Sequence, residues 1–111
     1  MTKRMTKLHT GFLSPTGEFY PCDYMEHMTV AKEILETLYP DERFIDPEDI
    51  LRRNGWVDIH QSLQTKQFSF YWDSRGNLTP EQKHIIRPIV EENTGAISSS
   101  SMYLLMCEFN N

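Results

Sequence analysis

Apolar residues recur along this chain in two rhythms, and each rhythm predicts an element. Between Tyr24 and Tyr39 they return every three or four residues, so that Tyr24, His27, Met28, Ala31, Ile34, Leu35 and Leu38 share a face. Thr29, Lys32, Glu33 and Glu36 lie towards the opposite side, as in an amphipathic helix. Asp23-Tyr24-Met25-Glu26 reads as its capping box, and Pro40 ends it. A short second helix is expected from Asp46-Pro47-Glu48, with Arg52 and Arg53 in its last turn and Gly55 closing it. A third starts at the capping box Thr79-Pro80-Glu81-Gln82 and aligns Gln82, Ile85, Ile86 and Ile89. Pro88 falls inside that run and is expected to kink or split the helix near Arg87.

The second rhythm has a period of two. Leu8–Phe12 and Glu18–Cys22 read as strands around the turn Ser14-Pro15-Thr16-Gly17, with Pro21 ending the second strand or placing it at a sheet edge. Trp56–Gln61 and Lys66–Trp72 read as a hairpin through Ser62–Thr65. Alternation puts Val57 and Ile59 on one face and Trp56, Asp58 and His60 on the other. In the next strand Phe68, Phe70 and Trp72 oppose Gln67, Ser69 and Tyr71. The run Met102–Phe109 has neither rhythm; a strand completing the sheet is the preferred reading over a buried helical turn. The expected fold is α+β, a single domain over residues 1–111. It is a mostly antiparallel sheet of about four to five strands packed against two or three helices, with a long helix at about 24–39.

Charge narrows the function. The net charge is −5, and Glu18–Asp58 carries eleven acids against four bases. The basic residues Lys3, Arg4 and Lys7 are confined to Met1–Leu8. An acidic middle repels phosphate, so duplex nucleic acid is not the expected partner, whereas a protein with a basic surface is. The outer side of the long helix, with Glu26, Glu33 and Glu36 and with Asp41 and Glu42 beyond, is the candidate partner-binding face. A solvated helix exterior is the simpler account of the same acids. The N-terminus has basic residues without an apolar stretch after them, and the longest apolar run is far short of a membrane span. With no CxxC pair among two cysteines, a disulfide framework is not expected, and reduced thiols suit a cytoplasmic protein.

Three constellations carry candidate chemistry. Cys22, His27, His60 and Cys107 are competent zinc ligands, but their scattered spacing favours buried thiols and ordinary histidines, so no metal or other cofactor is assigned. Tyr20, Glu26, His27, Trp56, Asp58 and His60 gather towards one side of the sheet. Within them, Asp58 and His60 share a strand face and His27 lies on the apolar stripe of the helix, a grouping suited to general-base chemistry. It is equally a common structural pairing, and no nucleophile elbow accompanies it. Phe68, Phe70, Tyr71 and Trp72 are dense enough to suggest base stacking, but only Lys66 and Arg75 are near, and core packing explains them better.

In outline the chain resembles short uncharacterised proteins carried by phages and other mobile elements of Gram-positive bacteria. The likeness rests on Gly11–Tyr20 (GFLSPTGEFY), Glu26-His27 with Ala31 four residues later, Leu51 followed by Gly55-Trp56-Val57-Asp58-Ile59, and Leu78-Thr79-Pro80-Glu81-Gln82. Together these pieces are spread between residues 11 and 82. Similar proteins often carry Arg where this chain has Asp58, so the resemblance implies no role for that position. It implies no activity, only a phage or integrated-element setting. The expected function is a non-enzymatic accessory protein that binds another macromolecule, one form being an acidic inhibitor of a host nucleic-acid enzyme. The alternative is a small hydrolase or ligand-binding domain using His27, Asp58 and His60.

Overall fold

Two hydrophobic layers lie on opposite faces of one four-stranded sheet, as the strand alternation requires. The computed structural model describes residues 10–40, 43, 45–73 and 75–110. The strands are β1 (Gly11–Leu13), β2 (Phe19–Pro21), β3 (Val57–Gln61) and β4 (Phe68–Tyr71), in the order β2-β1-β3-β4, with every pair antiparallel. Helices α1 (His27–Leu38) and α2 (Pro47–Arg53) cover one face; α3 (Pro80–Glu92) and α4 (Ser99–Phe109) cover the other. The fold is the expected α+β arrangement, with a fourth helix. Leu8, where the first strand was expected to begin, lies outside the described residues.

The turn after β1 forms as its residues dictate. Gly17 N–H donates to Ser14 O, and the Ser14 hydroxyl accepts from Glu18 N–H. Pro21 ends β2, which is an edge strand that needs no further donor there. Asp46 caps α2 by accepting from Asp49 N–H. At the far end Gly55 N–H donates to Arg52 O and Trp56 N–H to Leu51 O, the paired bonds of a Schellman motif. Gly55 has φ +91°, the left-handed conformation that position requires. The motif delivers Trp56 directly into β3.

Three expectations need correcting. The capping box at Asp23 and Glu26 does not form. Tyr24–Glu26 is a 3₁₀ turn closed by Glu26 N–H on Asp23 O, and α1 begins at His27 with no side-chain cap. The tighter turn sets His27 into the sheet, its ring 4.3 Å from that of Phe12. The buried stripe of α1 is accordingly narrower than its apolar pattern: His27, Ala31, Ile34 and Leu35 are inside, while Met28 is 51% exposed and Leu38 47% exposed.

Pro88 does not split α3, which runs unbroken from Pro80 to Glu92. Pro88 and His84 are on the solvent side, so water can serve the carbonyl that proline leaves unbonded.

The third correction is the last segment, which is helix α4 and not a strand. Its buried positions are Ser101, Leu105 and Glu108, spaced by four and three, whereas Tyr103, Leu104, Met106 and Cys107 are exposed. Polar residues on the inside and apolar ones outside hid the helical period. Its approach does complete the sheet edge, by other means. Phe68 pairs with Ile97 in a single parallel bridge, and Ser98 N–H donates to Phe68 O. The Ser101 hydroxyl accepts from Phe70 N–H at 2.8 Å and donates to Phe70 O at 3.3 Å. Glu108, further along, accepts from Leu78 N–H.

Gln82 ties the two halves together. Its side chain is buried; Nε2 donates to Gly55 O at 2.7 Å and to Ser14 O at 3.1 Å, and Oε1 accepts from Thr79 N–H. The capping box at Thr79 is therefore also the bond between α3 and the two loops opposite. Replacing Gln82 by Met keeps the volume but leaves Gly55 O and Thr79 N–H without their partner, at about 1–3 kcal/mol each, while Ser14 O keeps the Gly17 donor. Q82M should lose about 3 kcal/mol, read as a lower urea midpoint at unchanged m-value, while E81Q at the exposed first turn loses less than about 1 kcal/mol. Equal midpoints for the two variants would refute this role.

Candidate functional site

The face of β3 turned towards α1 and α2 carries Asp58 and His60, two residues apart as alternation requires. The first residue of α1 brings His27 onto them, and α2 brings Glu48 and Arg52 from positions one turn apart. His27, Asp58 and His60, the sequence-derived catalytic candidates, thus converge. His27 Nε2 lies 2.7 Å from Asp58 Oδ1, and His60 Nε2 lies 3.2 Å from the same oxygen. Arg52 Nη1 donates to the other oxygen, Oδ2, at 3.0 Å. Glu48 Oε2 stands 3.6 Å from His27 Nε2. The two imidazoles stack, with centroids 4.3 Å apart and planes inclined by 22°. Tyr71 meets His60 edge-on from β4, and Ser69 lies directly across the ladder from it.

His27 is 3% exposed and Asp58 1% exposed, so both are withdrawn from water. Despite the short separation, His27 Nε2 and Asp58 Oδ1 have no hydrogen-bond partner among the described residues. At 2.7 Å the His27–Asp58 approach does not have the geometry of a hydrogen bond, and it is an ion pair only when the ring is protonated. Burial lowers the His27 pKa below the ordinary 6.5; the Asp58 charge opposes that shift, and His60 adds to it. The Asp58 contact raises the pKa of His60 above 6.5, against a smaller opposing effect of burial. Burial thus disfavours the charged form of one ring, while the Asp58 carboxylate favours it in the neighbour.

Of the four sequence-derived metal candidates, Cys22 and Cys107 do not join as ligands. Cys107 is exposed on α4, on the other side of the sheet. Cys22 Sγ is 3.9 Å from His27 Nδ1, the nitrogen turned away from Asp58. Burial, with the charges of Asp58, Glu26, Asp23 and Glu48, pushes its thiol up to about 11. It is a protonated neighbour at neutral pH, without the thiolate a nucleophile or a soft metal ligand needs. Asp58, and not a cysteine, stands beside the two histidines. Phe68 and Phe70 are buried in the core, as their strand face predicts.

A second feature lies at the other end of α1. A groove of about 530 Å³ runs between this helix and the β1–β2 hairpin. Trp56 forms its floor beside Tyr20, the rings 5.5 Å apart, and Ile34 and Leu38 form one wall. Glu18 and Glu33 are at its rim. Tyr39 reaches across to Asn54, its hydroxyl donating to Oδ1 at 3.2 Å. Of the acids nominated from the sequence, Glu26, Glu33 and Glu36 are exposed as expected, and Glu33 alone lines the groove. Asp41 and Glu42 lie outside the described residues. Sequence reasoning missed Glu48 and Arg52, which read only as helix-end charges, because nothing in the spacing shows what α2 packs against.

No protein-family model, curated protein or solved structure matches the chain. No helix among the described residues is long and apolar enough to cross a membrane.

Two predictions follow from the histidines and the thiol. His27 has a lowered folded pKa, so between that value and 6.5 the unfolded chain binds more protons and stability rises with pH. His60 has a raised folded pKa, so above 6.5 its contribution is lost as pH climbs through that value. In chelator-treated buffer, stability against urea should therefore peak near the ordinary histidine pKa. H60Q should flatten the decline on the alkaline side and, because His60 adds to the lowering at His27, soften the rise on the acid side without abolishing it; an alkaline decline of unchanged slope in H60Q would contradict the assignment. In C107S, alkylation of Cys22 should stay slow at pH 8 and accelerate only towards about 11. A fast reaction near neutrality would show that burial and the nearby carboxylates do not raise its pKa.

Proposed function

We propose that this chain is a non-enzymatic accessory protein that binds another protein through the groove between α1 and the β1–β2 hairpin. The carrying observation is the groove's composition: an aromatic and aliphatic interior under two rim carboxylates, Glu18 and Glu33. Its volume falls within the range of about 300–1,000 Å³ typical of ligand sites. Its chemistry suits a short segment that places an aromatic or aliphatic side chain on Trp56 and Tyr20 and a lysine or arginine at the rim. Further acids, Glu36 on the same helix and Glu26 in the turn before it, extend the negative field along the approach. A basic partner surface is thereby favoured, and the phosphate-binding groove of a nucleic-acid enzyme is one surface of that kind. The phage or mobile-element setting and a cytoplasmic location belong to this proposal.

Selection of a displayed random-peptide library on the protein should enrich segments pairing a basic with an aromatic or large aliphatic residue. Binding of a selected peptide should weaken as salt is raised. E33K should weaken it about tenfold, and T37R, which fills the groove from an exposed helix position, should abolish it with the circular dichroism unchanged. Enrichment of acidic peptides, or binding indifferent to both substitutions, would reject the groove.

A second reading, a small hydrolase or ligand-binding domain, is favoured by the convergence of His27, Asp58 and His60, with His60 partly open to solvent. It requires turnover that D58N removes. A panel of carboxylic and phosphoric esters hydrolysed no faster than in buffer would eliminate the hydrolase form.

A further inference from the structure

We infer that His27, Asp58 and His60 form a binding site for one divalent transition-metal ion. The inference is independent of the peptide groove, which lies at the other end of α1. The three donor atoms all lie within 4.8 Å of one another. They come from two elements, the start of α1 and the middle of β3, so the backbone fixes their spacing. Two of them, His27 Nε2 and Asp58 Oδ1, are buried and lack a hydrogen-bond partner among the described residues. Buried polar atoms are almost always hydrogen-bonded, and one left without such a bond is costly. Two such atoms 2.7 Å apart, with His60 Nε2 beside them, are explained together if a cation is shared among the three.

The surroundings fit a metal centre beyond its three ligands. Arg52 donates to Asp58 Oδ2 and leaves Oδ1 facing the imidazoles, which is how an outer partner orients a ligating carboxylate. Glu48 Oε2, 3.6 Å from His27 Nε2, is within reach as a fourth ligand from the first turn of α2. Both Glu48 and His60 are about a quarter exposed, so an ion has a path in from solvent. Two imidazoles and one or two carboxylates select the borderline ions, zinc and cobalt among them. Two imidazoles disfavour calcium and magnesium, which prefer oxygen alone, and the absence of a thiolate disfavours copper(I).

Chelator-treated protein titrated with Co²⁺ should bind one equivalent per chain and develop visible ligand-field absorption, which Zn²⁺ then displaces. H60Q, at the exposed edge of the site, should retain the wild-type circular dichroism and lose the absorption. C107S should leave it intact. R52Q should weaken binding about tenfold at unchanged stoichiometry. On the wild-type chain itself, Zn²⁺ should shift the imidazole ¹⁵N resonances of His27 and His60 and leave those of His84, exposed on α3, in place. Failure to bind one equivalent, cobalt absorption that survives in H60Q, or zinc shifts at His84 instead would each overturn the site. None of these outcomes bears on peptide binding at Glu33 and Trp56.

Discussion

A carboxylate in the middle of a sheet sets the terms for one whole layer of this protein. Asp58 sits in β3 between two partner strands, and a charged group so placed is costly unless paired. Its partners come from three directions: Arg52 from α2, His27 from α1 and His60 from its own strand. Each partner can reach Asp58 only if its element lies where it does. The layer is therefore specified by polar geometry as well as by the packing of Phe12, Leu35, Leu51 and Trp56. The opposite layer, built from Leu13, Val57, Ile59, Phe68, Phe70, Ile86 and Leu105, holds its place mainly by apolar contact, joined by the bonds of Gln82, Ser101 and Glu108 to backbone groups.

Most of the fold was legible because local signals and tertiary context agree in it. The α2 cap at Asp46, the Gly55 closure and the Thr79 box are each made from neighbouring residues, so no long-range information was needed to find them. Alternation in β3 assigned Val57 and Ile59 to one core and Trp56, Asp58 and His60 to the other layer, and the two clusters divide that way. The failures occur where tertiary contacts overrule the local pattern. In α4 the buried positions include Ser101 and Glu108, which serve the backbone of β4 and of Leu78, so apolarity no longer marked the inside. At Asp23 the expected cap gave way to a tighter turn.

The site divides along the same line. Which residues of β3 share a face is a local property, and so is the place of His27 on the stripe of α1. Their placement on facing surfaces was therefore foreseeable, but whether the three side chains meet was not. Nor was the arrival of Glu48 and Arg52, since it depends on how α2 packs on α1 and β3. The groove was half visible: Tyr20 and Trp56 were already grouped with the histidines, but the gap between them and α1 arises from the splay between hairpin and helix. The cysteines illustrate the opposite error. Residue type made them metal candidates, and only position shows that one lies on the far layer and the other beside the wrong ring nitrogen.

Both features depend on a single rigid element. The twelve residues of α1 span about 18 Å, with His27 at one end in the charged cluster and Leu38 at the other on the groove wall. At the far end Leu38 is half-exposed, and Tyr39 is held across the gap to Asn54 by a bond between exposed side chains. At the near end a buried ring packs against Phe12 and His60. This helix, more than any one residue, sets the polar core of the layer and the groove on one scaffold, each at its own end.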